Sequence, residues 1–498
     1  MSRGAQRSFG ELGLSALMAG LVALLVATDV MAAPRAKLSK DLAEAVEAGH
    51  GRDVILQADR ATVEAVAARH GLAIGKWLKT GAVLRATGDQ LRALAADPGV
   101  GHLSGDTLVR SMTDVTNQAT GADQAHAGSL PGVGSVTGRG IGVALVDSGY
   151  SRHNALAGKF LASVDFTQSN GKGEDQLGHG THVAGLVAGN SAEFKGVAPD
   201  AWLVSLKVLG ADGSGRTSDV INAIDYAIAN KDKFGLRVIN LSLGRPVFES
   251  YVDDPLCQAV ERAYRAGLVV VVAAGNYGKT QDGRRVSRAI TAPGNSPYAL
   301  TVAAIDDNGT AKRSDDFIAD FSSTGPTLYD NLVKPDIAAP GRRLHSLYAP
   351  GSTLAKRFPE KLISGNGQNG IFELSGTSMA APVVSGAAAL VLEANPKLTP
   401  LQVRIALQMS STFMKDAGLT AAGAGSLNAA AAVKLAKSGP GVVLTVVANE
   451  GIISSGTATA SLGKHSGTLV LAGALVWGST NSLVWGGALV WGNADSLV

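Results

Sequence analysis

The sequence predicts an α/β protein in which helices cover both faces of a mostly parallel sheet. Between about residues 113 and 437, short runs rich in valine, isoleucine and alanine alternate with helical patterns. The runs are apolar throughout, which is typical of strands buried on both faces. The 498-residue chain is 46% apolar and only 17% charged, and it contains 62 glycines. This composition favours a large core with many tight turns over disorder.

The elements of this large domain follow from the order of those patterns. Parallel neighbours need a long crossover connection, which the helical intervals supply. The predicted strands cover residues 141–146, 202–208, 238–242, 269–273 and 299–304, and the predicted helices cover residues 218–230 and 255–266.

Residues 34–112 predict a separate small α+β domain with the β-α-β-β-α-β order of ferredoxin-like folds. About 80 residues suffice for such a unit, although it is only marginally stable alone. Its predicted elements are a strand at 53–57, a helix at 61–70, a hairpin at 77–86, a helix at 90–96 and a strand at 100–109.

The N-terminus has the pattern of an export signal. Arg3 and Arg7 precede an apolar stretch at residues 12–27, and small residues permit cleavage before Ala33. The stretch is shorter than the ~20 residues of a spanning helix. We therefore expect a signal peptide at 1–33 and an exported protein without a transmembrane anchor, whether secreted, periplasmic or cell-surface. An uncleaved anchor is the alternative.

The last 61 residues, 438–498, lose charge and predict a β-type or disordered extension. Three copies of Leu-Val-Trp-Gly begin at residues 475, 483 and 489. Their spacings are too short for a solenoid or propeller unit. Amphipathic strands or a docking tag would use the tryptophans, whereas a low-complexity tail would not.

Charge and cysteine content exclude several classes of protein. The net charge is only +3 and no basic block with interleaved aromatic residues occurs, which argues against nucleic-acid binding. Cys257 is the only cysteine, so the chain has no intramolecular disulfide and no zinc-finger site. We interpret Cys257 as a small buried apolar residue.

Three segments each place a reactive side chain where chemistry could use it. Asp147 ends a predicted buried strand, His179 begins a predicted helix, and Ser378 begins an Ala/Val-rich helix. A serine nucleophile needs a base, and the base needs a group that fixes its tautomer. Helix-start N–H groups favour negative charge beside Ser378. Pro382 is expected to lie close enough to that helix start for its missing N–H to cost little.

Taken singly, such residues are often only caps or turn residues. In the order Asp, His, Ser, within Gly-His-Gly-Thr-His-Val-Ala-Gly and Gly-Thr-Ser-Met-Ala-Ala-Pro, they resemble the subtilase family over about two-thirds of the chain. The resemblance implies a subtilisin-like fold and a serine endopeptidase that forms an acyl-enzyme. Asp147 would be the carboxylate, His179 the general base, Ser378 the nucleophile and His182 a structural residue.

The same resemblance implies further site residues. Asn276, after the strand-like run at 270–272, would be the oxyanion-hole amide, a donor worth about 10²–10³ in kcat. Arg245 stands where the family commonly has glycine. Two edges would pair with an extended substrate, and two glycines would leave room in the primary specificity pocket. The implied substrate-binding residues are Gly213, Ser214, Gly215, Ser242, Leu243, Gly244 and Gly275.

The resemblance also implies a zymogen. Residues 34–112 resemble the inhibitory propeptide, with self-cleavage expected between about residues 105 and 118. The implied partners are protein or peptide substrates and this propeptide. No cofactor is required for the chemistry. The loop at 186–195, where subtilisins bind calcium, is short and offers only Asn190 and Glu193, whereas Ca²⁺ takes six or more oxygens. Calcium is therefore unsupported at that loop, and weaker sites elsewhere stay open.

Four other functions fit the sequence less well. His179 and His182 are three residues apart with no glutamate between them, which does not fit the zinc metalloprotease pattern. The glycines at 138, 140 and 142 precede a strand, unlike a dinucleotide fingerprint. A sedolisin-like peptidase would lack the histidine. A binding module with an inert protease fold would not hydrolyse casein.

Overall fold

The computed structural model describes residues 37–106, 108–111, 119–167, 173–192, 194–280 and 282–437, together with the backbone of three strands in the C-terminal extension. The predicted signal peptide, Glu193 and the three Leu-Val-Trp-Gly copies lie outside the described residues.

The N-terminal unit is a four-stranded antiparallel sheet in the order β2-β3-β1-β4, packed against helices. The predicted β-α-β-β-α-β order is observed, preceded by a helix that the sequence pattern did not predict. The predicted strand at 100–109 is divided, because its second half pairs with the large domain. The bounds are α1 Lys40–Glu47, β1 Arg52–Gln57, α2 Arg60–His70, β2 Ala73–Leu78, β3 Gly81–Ala86, α3 Gly88–Ala96, β4 Leu103–Gly105 and β5 Leu108–Ser111.

The large domain is built on an eight-stranded, mostly parallel sheet, which confirms the predicted fold class. Its order is β14-β13-β12-β10-β6-β8-β7, with β15 parallel to β13 and β14 antiparallel at the edge. The strands are β6 Gly142–Asp147, β7 Phe160–Asp165, β8 Trp202–Lys207, β10 Leu236–Leu241, β12 Val269–Ala273, β13 Leu300–Asp306, β14 Phe317–Ile318 and β15 Ile337–Pro340.

Both faces of this sheet are covered by helices. Successive strand residues point to opposite faces: Val143 and Leu145 of β6 join one apolar cluster, and Ala144 and Val146 join the other. Helices α5 and α9 pack in the first cluster, and α6 and α7 in the second. The helices are α4 Ala122–His126, α5 His179–Ala188, α6 Thr217–Ala229, α7 Pro255–Arg265, α8 Thr353–Arg357, α9 Thr377–Ala394, α10 Pro400–Met409, α11 Leu419–Ala422 and α12 Ala429–Lys437.

Three small sheets complete the described structure. Strand β5 of the N-terminal unit lies between two short strands of the large domain, in the order β11-β5-β9. A second sheet has the order β16-β18-β17, and the described extension forms an antiparallel sheet β19-β20-β21, in agreement with its predicted β-type pattern. The bounds are β9 Ser214–Arg216, β11 Leu243–Gly244, β16 Leu344–Leu347, β17 Leu362–Ser364, β18 Ile371–Leu374, β19 Thr445–Ala448, β20 Gly456–Leu462 and β21 His465–Leu471.

One helix in the described part of the chain, α9, is long and apolar enough to cross a membrane. Of its apolar window, 89% is buried inside the protein. Helix α9 is therefore the central core helix of the large domain, and its composition reflects that burial.

Candidate active site

An aspartate and a histidine meet where β6 ends and α5 begins. Asp147 is the last residue of β6 and His179 the first residue of α5, and both are buried. The Nδ1 atom of His179 lies 2.7 Å from Oδ1 of Asp147. A carboxylate can only accept at neutral pH, so Nδ1 donates and Nε2 is the acceptor nitrogen of the neutral ring. The pair thus presents an oriented base.

Asp175 holds the start of α5 against β6. Its Oδ1 accepts from the hydroxyl of Ser148 and from the N–H of Gly178, both at 2.7 Å. Its Oδ2 accepts from the N–H and hydroxyl of Thr181 at 2.7 and 2.6 Å. A carboxylate beside a helix N-terminus is electrostatically favourable. The sequence analysis missed Asp175, because it lies three residues before the N-cap residue Gly178, outside the position where a capping side chain is expected.

Close approach between α5 and β6 depends on glycine. A Cβ atom on Gly180 would lie 2.1 Å from the carbonyl oxygen of Gly149, which no real side chain could occupy. The N–H of Gly180 instead donates to the Ser148 hydroxyl at 2.9 Å. The glycine after His179 therefore lets the helix approach the strand closely enough to bring the imidazole to the carboxylate.

A buried lysine, also missed by the sequence analysis, lies opposite Asp147 on the neighbouring strand β8. Lys207 is opposite Asp147 in the β6–β8 register and is fully buried. Its Nζ donates to the carbonyl oxygens of Ser148 at 2.7 Å and Leu209 at 2.9 Å. Burial lowers the pKa of Lys207, and the negative charges of Asp175, Asp165 and Asp147 oppose that shift. The end of β6 is thus tied to the segment leading into β9.

The second histidine of the motif has a different environment. Nε2 of His182 faces the carbonyl oxygens of Leu344 at 3.2 Å and Phe372 at 3.1 Å. Burial, and then the neighbouring His179, lower the pKa of His182 to about 3. His182 is therefore neutral at physiological pH, and its contacts join α5 to the β16-β18 sheet.

The start of α9 carries Ser378 as its second residue, fully buried. Asn276, three residues beyond β12, accepts through Oδ1 from the N–H and the hydroxyl of Thr377, both at 3.0 Å. Because Thr377 holds the amide oxygen, the amide NH₂ of Asn276 is directed away from Thr377. The N–H of Gly275 donates to the Thr377 hydroxyl at 3.1 Å. These contacts fix Asn276 beside the residue that precedes Ser378.

Pro382 corrects one expectation. It is the sixth residue of α9 and lies inside the helix, beyond the first-turn positions where N–H groups have no helical acceptor. Its missing N–H therefore removes a helical hydrogen bond, the one to the carbonyl of Ser378. The expectation that it would cost little because of its position is wrong, and another donor must serve that carbonyl.

The two segments predicted to bind substrate hold an extended chain between them. Backbone pairing aligns Val109 of β5 with Gly215 of β9, and Arg110 of β5 with both Ser214 of β9 and Gly244 of β11. Both pairings are antiparallel. The structure therefore brings Ser214, Gly215, Leu243 and Gly244 to one extended peptide. Gly213, with φ of 77°, lies in the turn before β9.

At the predicted specificity pocket, Gly244 and Gly275 pack closely against Thr291. A Cβ on Gly244 would lie 2.4 Å from Oγ1 of Thr291, and one on Gly275 would lie 2.8 Å from its Cγ2. Arg245, in contrast, directs its buried guanidinium to Asp254, with Nη2 and Oδ2 2.8 Å apart. Its charge is thus paired with the carboxylate that caps α7.

Metal-binding residues do not cluster in the described part of the chain, where no group of three or more histidine, cysteine, aspartate or glutamate side chains could hold an ion. At the loop considered for calcium, Asn190 pairs with Lys195 through the backbone, and its amide contacts Asp200 at 3.4 Å. Cys257 is buried, as predicted, and its thiol donates to Oδ1 of Asn295 at 3.2 Å.

Comparison with known proteins is consistent with this arrangement. The model of the subtilase family matches residues 138–432. The chain is 39% identical to serine protease AprX of Bacillus subtilis (strain 168) over 330 residues, which cover 64% of this chain and 71% of that protein. It is 35% identical to an alkaline protease of Alkalihalobacillus alcalophilus over 348 residues, 70% of this chain and 77% of the relative.

A shorter relative is covered almost completely. The chain is 36% identical to subtilisin BL of Lederbergia lenta over 301 residues, 60% of this chain and 93% of that protein. The family match covers more than half of the chain and includes both helix starts described above. The chain therefore belongs to the subtilase family and is a serine endopeptidase of the class that uses an Asp-His-Ser triad and needs no cofactor for catalysis.

Proposed function

We propose that Asp147, His179 and Ser378 are the catalytic triad and that Asn276 completes the oxyanion hole. The observation that carries the proposal is the buried 2.7 Å contact between His179 and Asp147. Ser378 lies at the N-terminus of α9, which packs against α5 in one apolar core. All three residues lie within residues 138–432, the part of the chain that the subtilase family model matches.

The reaction follows from these roles. Oγ of Ser378 attacks the scissile carbonyl while Nε2 of His179 takes its proton, and Asp147 stabilises the imidazolium. The N–H of Ser378 and the NH₂ of Asn276 donate to the oxyanion. The imidazolium then protonates the leaving amine, which leaves an acyl-enzyme. Water, deprotonated by His179, hydrolyses that ester and restores the serine. Activity falls at acid pH as His179 becomes protonated.

Substrate binds as an added strand between the two edges. Gly213, Ser214 and Gly215 form one edge, and Ser242, Leu243 and Gly244 the other, with Gly275 at the pocket. The antiparallel pairing of β5 with both β9 and β11 supports this mode. Main-chain hydrogen bonds tolerate many sequences, and side-chain pockets select among them.

Residues 34–112 act as an inhibitory propeptide whose last strand blocks these edges. Asp106 supports this role because it caps a helix of the large domain. Its two carboxylate oxygens accept from the N–H and the hydroxyl of Ser218, at 2.9 and 2.8 Å. The N-cap residue of α6, Arg216, makes no such side-chain bond. His102 and Ser104 also contact Glu249.

The protein is exported and matures by self-cleavage. The signal-like sequence at 1–33 supports export, and the position of β5 supports cleavage just beyond it, within residues 105–118. The mature protein would act on protein or peptide substrates in the secreted, periplasmic or cell-surface compartment.

Expression in a protease-free host tests the proposal. Mass spectrometry of both termini should show wild-type protein cut within residues 105–118, and the product should hydrolyse casein. Ser378→Ala should remain uncut after signal removal. Ser375→Ala, three residues away, removes a hydroxyl that accepts from the N–H of Arg343 at 3.1 Å and should mature normally. Normal processing of Ser378→Ala would refute self-maturation, and absence of casein hydrolysis would favour a binding module.

A further inference from the structure

The helix that carries Ser378 contains a defect in its hydrogen bonding. In an α-helix the N–H of residue i+4 donates to the carbonyl of residue i. For Ser378 that residue is Pro382, which has no N–H. The carbonyl of Ser378 therefore lacks the N–H donor that residue i+4 normally supplies, although the residue is fully buried. A buried carbonyl without a partner is strongly disfavoured, so a donor from elsewhere is expected.

Ser242 supplies that donor. Its hydroxyl donates to the carbonyl oxygen of Ser378 at 2.5 Å, across 136 residues of sequence. Two further hydrogen bonds extend this contact into a network. Nδ2 of Asn240 donates to Oγ of Ser242 at 2.9 Å, and the hydroxyl of Ser385 donates to Oδ1 of Asn240 at 2.9 Å. All four residues are fully buried. Ser385 belongs to α9, so this hydrogen-bond network begins and ends on that helix.

We propose that Ser242 is a positioning residue whose hydroxyl replaces the hydrogen bond that Pro382 removes, and thereby fixes the orientation of Ser378. This inference rests on the role of Ser378 as the nucleophile. Ser242 lies between β10 and β11, so the same short segment carries a substrate-binding edge and holds the carbonyl of the reacting residue. The position of the nucleophile relative to a bound substrate strand is then fixed.

The described contacts separate this role from a direct contact with substrate. The Ser242 hydroxyl donates to Ser378 and accepts from Asn240, whereas the pairing of β11 with β5 begins at Leu243. Loss of the hydroxyl should therefore misplace the nucleophile and leave the substrate edge intact. Small displacements of a reacting group lower the rate of the chemical step more than they weaken binding.

A double-mutant cycle tests the proposal, because Pro382→Ala returns the missing helical N–H. Ser242→Ala should lower kcat about 10-fold and change KM less than about 2-fold. Pro382→Ala should stay close to wild type, and Ser242→Ala/Pro382→Ala should recover most of the lost kcat. Rates are normalised to the fraction of protein labelled by a fluorophosphonate, so that immature protein is not counted.

The outcomes distinguish the alternatives. Ser385→Ala is the matched control, because it breaks the far end of the hydrogen-bond network. It should lower kcat less than Ser242→Ala does, and adding Pro382→Ala to it should not raise kcat. A Ser242→Ala defect confined to KM, or a double variant no better than Ser242→Ala, would overturn the proposal. Should Ser242→Ala fail to mature, restored maturation in the double variant supports the proposal and continued failure overturns it. An unlabelled, inactive wild-type protein would instead refute the role of Ser378.

Discussion

The starts of α5 and α9 each carry a proposed catalytic side chain, but they are held by different kinds of group. Around His179 the partners are charged: Asp147 contacts the ring, and Asp175 and Lys207 fix the surrounding backbone. Around Ser378 the described contacts come from amides and hydroxyls, those of Asn276, Thr377 and Ser242.

This difference in partners matches the charge that develops at each helix start during the reaction. The imidazole becomes a cation during the reaction and lies among carboxylates, whereas negative charge develops beside Ser378, next to N–H donors. Substitutions that change charge near α5 should therefore shift the pH profile. Substitutions near α9 should lower the rate without shifting the pH profile.

The largest effect is expected for Asp147→Asn. The amide cannot stabilise the imidazolium and favours the wrong tautomer of His179, so kcat/KM should fall about 10⁴-fold. Steady-state kinetics on a peptide substrate provide the measurement. Asp165→Asn is the control, since that carboxylate ends β7 and accepts from the N–H and hydroxyl of Thr167. It should change the rate by less than about 3-fold. A loss below 10-fold in Asp147→Asn would remove Asp147 from the triad.

The next effect is expected for Asn276→Ala. Removal of the oxyanion donor should lower kcat by about 10²–10³ and leave KM nearly unchanged. The pH at which activity is half-maximal on the acid side should stay within about 0.2 units of wild type, because no charge is altered. A change confined to KM would contradict the role of Asn276, and a large pH shift would contradict the contrast between the two helix starts.

A smaller effect, with a defined direction, is expected for Asp175→Asn. The variant removes a negative charge near His179, so the imidazolium is less stable and the acid limb of the kcat/KM profile should move to lower pH. The rate on the plateau should fall about 10-fold as the start of α5 loosens. An acid limb that moves to higher pH would show that Asp175 does not act on His179 through its charge.

The smallest effect, in the opposite direction, is expected for Lys207→Met. Loss of the positive charge stabilises the imidazolium, and the acid limb should move to higher pH by about 0.5 units. Lys334→Met is the matched control, because Lys334 is equally buried but pairs with Asp336 through a 2.6 Å contact away from the site. Both variants should lose stability, measured as Tm, yet only Lys207→Met should shift the profile. Equal shifts in both would refute a specific role for Lys207.

The sequence predicted the large elements well where local pattern and burial agree. The strand at 269–273 coincides with β12, because four consecutive valines in a fully buried strand leave little ambiguity. β7 was not predicted, since its residues alternate between half-buried and exposed positions at the sheet edge. β5 could not be separated from β4, because its pairing partners lie more than 100 residues away.

The functional site was predicted less completely than the fold. The three motifs identified Asp147, His179 and Ser378, since each motif is a contiguous run. Lys207 was not identified, because at the end of an apolar strand it looks like the first solvent-exposed residue. Only the structure shows that this side chain is fully buried and that its ammonium group donates to the carbonyl oxygens of Ser148 and Leu209. The hydroxyl of Ser242 likewise gains its role from a contact with a helix 136 residues later.

Covalent labelling of the mature protein tests the proposed triad most directly. A fluorophosphonate, followed by proteolytic digestion and mass spectrometry, should modify Ser378, and the labelling rate should fall at acid pH as His179 is protonated. His179→Ala should abolish the labelling, while His182→Ala, if it folds, should retain it. Modification of a different residue, or casein hydrolysis that persists in Ser378→Ala, would contradict the assignment.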